Sequence, residues 1–424
     1  MEPGESTPFY LQENGKNFDP EDLDRVSIAP MLEITDSHFR TFCRLLTTRS
    51  TLYTEMINAD TILNNPNTQL ILGFNPVEAP LILQLGGSDP EKLGRAARIA
   101  AGFGYAGVNL NCGCPSPRVT LGCFGASLMT SPDLVAKCMT AMAESGMPVS
   151  VKCRIGVDDN ESFEFLRNFV EVVSRDSPTR HFVIHARKAL LKGLNPKENR
   201  TVPPLKYEVV YRLAEEFPHL QFSLNGGVRS ASEGKNVLAS ARLRGVMIGR
   251  AAYENIWQLS AFDSAFFGKK DPGFSRQQVI LKYAEYCDRA MALNPMLNLH
   301  TMVRPLLSLF IGQKGATVFR RILSEKQYID QYKTVRGLAA FAVETIGRMN
   351  PSGMTEPYVE QRIHGQAPDK KEPAPAPRKA NSAEKEKVDD LSEQLAAKDL
   401  QELGACSLKP NPPEKVDDQT AAKS

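Results

Sequence analysis

No run of 18 apolar residues occurs anywhere in the 424-residue chain, so a membrane-spanning helix is excluded. Charge of one sign is missing as well. Lys and Arg number 51 against 49 Asp and Glu, a formal net charge of +2, so any nucleic-acid surface must be local. The start, Met1 to Glu5, has neither the basic and apolar regions of a signal peptide nor the Arg-rich, acid-poor character of a transit peptide. The eight cysteines are irregularly spaced, which speaks against a disulfide framework and for reduced intracellular thiols. Cys112, Cys114 and Cys123 cluster, but without a C-x-x-C spacing or a fourth ligand nearby, so no metal is expected. Beyond Tyr358 there is no Phe, Trp or Tyr, and a segment so poor in core-forming residues is expected to be disordered. Together these absences predict a cytoplasmic protein, an organelle being the lesser expectation.

What remains is globular in composition, with 42% hydrophobic and 24% charged residues. Between residues 26 and 250 eight short β-rich runs recur about every 30 residues: 26–31, 51–56, 81–86, 107–111, 148–155, 181–187, 221–226 and 246–250. Helical periodicity fills most of the gaps, as in 89–102, 131–145, 162–174 and 205–217, often behind a Ser or Asp N-cap. Eight strands alternating with helices predict a (β/α)8 TIM barrel over residues 26–268, with a doubly wound sheet as the alternative. Residues 275–350 carry helical stretches only, including 276–292, 301–311 and 335–348, and predict a small all-helical domain over 269–365. Residues 1–25 form an N-terminal extension and 366–424 the disordered C-terminal tail.

In a parallel barrel the chemistry gathers at the strands' C-terminal ends. Here those ends read Pro30-Met31, Glu55, Gln84, Asn111, Lys152 with Arg154, His185 with Arg187, Asn225-Gly226-Gly227, and Gly249-Arg250. Polar strand ends are often mere solvation, but seven converging on one rim are not. Residues 107–111 run from a buried strand straight into Gly113, Pro115 and Pro117, which holds the Cys114 thiol on a sharp turn beside Asn111. Taken alone, that turn reads equally as a buried structural cysteine. The glycine turns after strands seven and eight favour a bound phosphate, such as that of flavin mononucleotide. Gly102 to Gly107 also match G-x-G-x-x-G, but they follow a helix and precede a strand, the reverse of a dinucleotide fingerprint.

Several segments carry a family resemblance: Ala29-Pro30-Met31, 83–88, 109–116, Val151-Lys152, 184–189, 194–200 with 203–205, and Asn225-Gly226-Gly227. With 304–310 and 319–321, the chain resembles a tRNA-dihydrouridine synthase of the bacterial A type over about residues 26–350. Two departures are Cys112, where an aliphatic residue is usual, and Ser127 in place of a common cysteine. The resemblance implies flavin-dependent reduction of uridine to 5,6-dihydrouridine in the tRNA D-loop, at positions 20 and 20a, with NADPH or NADH as reductant. It implies that Pro30, Met31, Leu32, Gln84, Lys152, His185, Asn225, Gly226, Gly227, Gly249 and Arg250 hold FMN and that Cys114 is the catalytic acid. It sets Asn111, Arg187 and Lys188 near the substrate, and Arg154 is expected beside them.

The chemistry suits these residues. Reducing the uracil 5,6 bond needs a hydride at C6, the work of a flavin, and a proton at C5, the work of a thiol. Lys152 would stabilise negative charge on the reduced ring, and Asn111 is expected to read the edge of a base drawn out of its stack. Residues 301–350 carry eight Lys or Arg against three Asp or Glu, so Arg304, Arg320 and Arg321 are expected to contact tRNA phosphates. A solvated helix face accounts for such a bias too. The rivals are a flavin barrel acting on a small molecule and a tRNA-binding chaperone without catalysis; the basic helical segment argues against the first, Cys114 against the second. The chain is expected to act as a monomer, without metal or membrane.

Overall fold

The computed structural model describes residues 19–360. The tail expected over 366–424, and residues 1–18 of the expected N-terminal extension, lie outside the described residues.

Eight strands form one all-parallel sheet: β1 (Val26–Ile28), β2 (Leu52–Asn58), β3 (Leu81–Gly86), β4 (Gly107–Cys112), β5 (Val149–Arg154), β6 (His181–His185), β7 (Gln221–Asn225) and β8 (Gly245–Ile248). Their order is β1-β8-β7-β6-β5-β4-β3-β2. The ends of that order meet. Ile28 donates its N–H to the Thr51 carbonyl at 2.9 Å, and Thr51 returns a bond to Val26 at 3.0 Å. The sheet is therefore a barrel, and the doubly wound alternative is overturned. Gly102–Gly107 is the turn between a helix and β4, with Gly104 at φ 85°.

Alternation along the strands divides the side chains into two sets. The outward set, such as Leu83, Leu85, Val108, Leu110, Phe182, Ile184 and Leu224, packs under the surrounding helices. Those helices include Ser37–Arg44, Pro90–Ala101, Pro132–Ala143, Phe163–Asp176, Tyr207–Glu216 and Ala231–Ser240. Several are stopped at their N-termini by a short polar side chain, which satisfies an amide that the helix itself leaves open. Asp36 caps Phe39, Ser162 caps Phe165 and Ser230 caps Glu233. The inward set has a small apolar cluster of Ala29, Tyr53, Ile82, Val183 and Met247. Around it stand buried polar residues: Ser27, Gln84, Asn109, Ser150, Ser223 and Asn225.

Beyond Phe267 the described chain is helical, with Arg276–Leu293, Ala316–Ser324 and Val335–Met349 the longest pieces. The helix expected over 301–311 is broken. Pro305 supplies no amide hydrogen, and the chain instead makes a short turn of helix at Leu299–Met302 and a 3-10 segment at Arg304–Ser308. These helices share one core with the barrel. Tyr283 meets Phe42 edge-on with centroids 4.8 Å apart, His38 Nδ1 bonds the Tyr286 hydroxyl at 2.7 Å, and Ser308 donates to the Tyr253 carbonyl at 2.6 Å.

Arg276 is the polar anchor of this join. Buried, it lies 4.4 Å over the ring of Trp257 and donates to the Leu309 carbonyl at 3.0 Å and the Gly353 carbonyl at 2.9 Å. Arg276→Met fills the space but leaves both carbonyls unpaired, and a loss of about 2–4 kcal/mol is expected from urea unfolding. Trp257 is the only tryptophan of the chain. Its emission should shift to the red in the variant. Unchanged stability and emission would remove Arg276 from this role.

Candidate active site

The β4 strand delivers Cys114 to the mouth of the barrel. Past Cys112 the chain turns on Gly113, and the carboxamide of Asn111 holds that turn: its Oδ1 accepts from Gly113 N at 3.1 Å and from Cys114 N at 3.0 Å. The carbonyl side is held as well. Arg154 Nε donates to Gly113 O at 3.0 Å, and Ala126 N donates to Cys114 O at 2.9 Å. The Cys114 thiol is left half-buried at the rim, whereas Cys112 is fully buried among outward-facing residues. Burial, with Cys153 and Cys138 nearby, pushes the Cys112 thiol well above its ordinary range, so it is inert as an acid.

Lys152, paired in register with Asn111 and Val183, points into the mouth from β5. Among the described residues no carboxylate or hydrogen-bond acceptor meets its ammonium. Burial, and then Arg154, pull its pKa down to about 8. His185 on β6 stands well below the usual histidine range, first through burial and then through Arg154, Lys152, Arg187 and Arg250, so it is a neutral imidazole. Asn225 on β7 donates to the Met247 carbonyl at 2.8 Å.

The turn after β7 takes a form that only glycine allows. Gly226 and Gly227 have φ 108° and 75°, and a Cβ on Gly226 would stand 2.6 Å from the His185 ring. Gly249 faces open space but for Ala29, and Arg250 follows it, exposed, donating to the Arg200 carbonyl at 3.1 Å. Next to β8, Pro30, Met31 and Leu32 follow β1; Met31 is buried and Leu32 exposed. Gln84 is buried at the end of β3, with its amide engaged by Asn109 and Asn111.

The residues expected near the substrate are more engaged than their spacing suggests. Arg154 is buried and donates to three backbone carbonyls: Gly113, Lys188 at 3.0 Å and Asn199 at 2.8 Å. It ties the Cys114 turn to the loop after β6. Arg187 donates to the carbonyls of Thr201 and Pro203. Lys188 pairs with Glu161 at 3.1 Å. Arg304 donates to the Glu33 carbonyl at 3.1 Å, beside the loop after β1, while Arg321 pairs with Glu325 within its own helix and Arg320 lies exposed. Sequence reading assigned no role to Arg200. The structure brings it within electrostatic reach of both Cys114 and Arg250. The signal available was its place at the end of a Pro-Lys-Glu-Asn-Arg loop, which Asn199 staples through bonds to both backbone groups of Leu190.

Lys152, Arg154, Arg187, Arg200 and Arg250 thus collect at one mouth. Among the described residues none of Lys152, Arg154, Arg200 and Arg250 forms an ion pair with a carboxylate. Such a site favours an anion. No three His, Cys, Asp or Glu stand together as metal ligands among the described residues, and no described helix is long and apolar enough to cross a membrane.

The model of the family described as Dihydrouridine synthase (Dus) matches residues 27–342. The chain is similar to the tRNA-dihydrouridine(20/20a) synthase of Vibrio vulnificus, 46% identical over 305 residues, which cover 72% of this chain and 92% of that protein. It is similarly close to the enzymes of the same name from Synechocystis sp., 46% identical over 311 residues (73% and 91% covered), and Shewanella oneidensis, 45% over 312 residues (73% and 91%). The chain belongs to the dihydrouridine synthase family.

Proposed function

We propose that this protein reduces uridine to 5,6-dihydrouridine in the D-loop of tRNA, at positions 20 and 20a, with FMN as cofactor and NADPH or NADH as reductant. The observation that carries the reading is the half-buried Cys114 thiol, held from both sides of its turn beside a cationic mouth. Residues 26–268 act as the catalytic barrel and 269–365 as the tRNA-binding part, in a cytoplasmic monomer.

The residues present fit the cofactor. Gly249 borders open space that a Cβ would enter, Gly226 and Gly227 bring bare backbone up against His185 and Leu205, and Arg250 beside them suits a phosphate. Lys152, His185 and Asn225 would line the ring, with Gln84 behind them and Pro30, Met31 and Leu32 following β1. When bound, reduced FMN supplies the hydride for C6 of the uracil. Cys114 Sγ gives its proton to C5, and the thiolate left behind faces Arg154 and Arg200, which stabilise it until solvent returns the proton. Asn111 and Arg154 act by fixing the turn that carries the thiol, so one remaining Asn111 N–H is what could reach the base. The test is direct: purified protein, flavin, reductant and unmodified tRNA should yield dihydrouridine, mapped by nucleoside analysis. A wild-type protein that binds no flavin and forms none overturns the reading.

Cys114→Ala should keep flavin and tRNA binding while single-turnover oxidation of the reduced enzyme by tRNA slows by roughly 10²–10⁴-fold, the usual contribution of a general acid. Cys112→Ala should stay active; the opposite pattern would assign the acid to the wrong thiol.

Lys152 also sets a pH dependence. With a pKa lowered to about 8 it is charged below that pH and neutral above it. Only the ammonium can neutralise the negative charge of the reduced ring, so the affinity of apoprotein for reduced FMN should fall as pH rises through about 8. Titrations of Lys152→Met should be weaker and flat; a variant with the wild-type pH dependence would dismiss Lys152 as the cause.

Arg304, Arg320 and Arg321 are the proposed partners of tRNA phosphates. Alanine at all three should weaken tRNA binding and lower the salt slope by about one unit for each phosphate that is no longer neutralised. Flavin content and flavin reduction by the nicotinamide should not change. Binding as tight as wild type across salt concentrations would place the RNA elsewhere.

A further inference from the structure

The Cys114 turn rests on a chain of buried amides that runs down the barrel interior. Its links are Asn111 Nδ2 to Gln84 Oε1 at 2.9 Å, Gln84 Nε2 to Asn109 Oδ1 at 2.8 Å, and Asn109 Nδ2 to Ser150 Oγ at 2.9 Å. Gln84, Asn109 and Ser150 stand side by side in register on β3, β4 and β5. All four residues are buried. Below them the Ser150 hydroxyl faces the Tyr53 phenol, which donates to Asp24 Oδ1 at 3.0 Å on the barrel floor.

The direction of every bond is forced. Two backbone N–H groups, of Gly113 and Cys114, can only donate, so Asn111 must turn its Oδ1 to them. Its amino group then faces Gln84, which must offer oxygen. Gln84 in turn offers nitrogen to Asn109, and Asn109 offers nitrogen to Ser150. Each amide has two orientations: turning Asn111 or Gln84 would set donor against donor and oxygen against oxygen at both ends, and turning Asn109 would set donor against donor at its Gln84 end. At the lower end the Asp24 carboxylate is an acceptor at its Tyr53 bond. The polarity imposed from above and the acceptor below agree, so the chain has one arrangement.

We propose that Asn109 is a positioning residue for proton transfer: by fixing which way Gln84 faces it locks Asn111, and Asn111 locks the turn that aims Cys114. Asn109 itself touches neither thiol nor mouth. The consequence for catalysis rests on the function proposed above, whereas the locking of the turn does not.

Asn109→Leu keeps the size and removes the acceptor, so Gln84 loses its constraint. Asn109→Asp keeps an oxygen toward Gln84, and the protonated acid also keeps a donor toward Ser150. In Asn109→Leu, kcat for tRNA should fall about tenfold, the consequence of an unpaired buried donor and a loosened neighbour, with KM unchanged. Peptide-resolved iodoacetamide labelling of Cys114 should become several-fold faster. Asn109→Asp should return both to within about threefold of wild type. A folded, flavin-loaded Asn109→Leu that matches wild type in kcat and labelling overturns the proposal, and so does an Asn109→Asp as impaired as Asn109→Leu. Should Asn109→Leu not fold, Ser150→Ala decides: about a threefold loss of kcat with faster labelling supports the chain, and no change overturns it. Wild-type protein that makes no dihydrouridine would refute the function proposed, while the labelling comparison would still decide whether Asn109 holds the turn.

Discussion

Two backbone hydrogen bonds between β1 and Thr51 close the sheet, and the mouth exists because of them. A parallel sheet that closes must send every strand's C-terminal end to the same rim. Residues as distant in sequence as Met31, Cys114 and Arg250 thereby become neighbours of one opening. Some of the loops that follow are short, with Asp36, Ser162 and Ser230 capping the next helix soon after β1, β5 and β7, whereas 186–206 after β6 is long. Gln84, Asn111, Lys152 and Arg154 therefore sit on a fixed strand frame, while Arg187 and Arg200 reach the mouth from the loop after β6.

Closure also explains the charge of the mouth. Strand alternation sends Lys152 and Arg154 inward together, and the loops after β6 and β8 add Arg187, Arg200 and Arg250. Burial, and after it the neighbouring cations, lower the pKa to about 8 at Lys152 and about 10 at Arg154. The molecule bears this charge in two ways. Arg154 and Arg187 are neutralised in part by backbone carbonyls, which take hydrogen bonds without adding a countercharge that would repel an anion. Lys152 remains without an acceptor among the described residues. Carboxylates in place of those carbonyls would stabilise the empty site and spoil it for an anionic ligand.

Much of the fold was legible because the physical signals were periodic and local. All eight strands lie where alternation and spacing set them, and the Cys112 and Cys114 thiols were separable because Cys112 falls on the outward face of β4 while Cys114 lies past its end. The glycine turn after β7 leaves its mark on residue type through positive φ and close approach, whereas Gly249 after β8 has φ −97° and faces open space. What the sequence hid were destinations of long polar side chains. Spacing says that Arg154 points inward, but not that its guanidinium meets Gly113, Lys188 and Asn199 from three different loops. It suggests that Asn111 stands beside the thiol, but not that its oxygen is taken by the turn below it. Arg200 was passed over because a loop arginine has no period to read, and the break at Pro305 shows a local steric rule overriding a plausible helical stripe.

Asn111 and Arg154 illustrate a division of labour that residue type alone cannot assign. Both are polar and both lie at the mouth. Yet each bonds to backbone on either side of Gly113, one through the N–H groups and one through the carbonyl. Their joint effect is to deny the turn its freedom, so that the thiol, which carries little of its own hydrogen bonding, is aimed by its neighbours. A weak acid on a mobile loop would lose its advantage to the entropy of finding the base. A weak acid on a turn clamped at both polar faces keeps it, and the barrel supplies the clamps from strands that closure has already fixed.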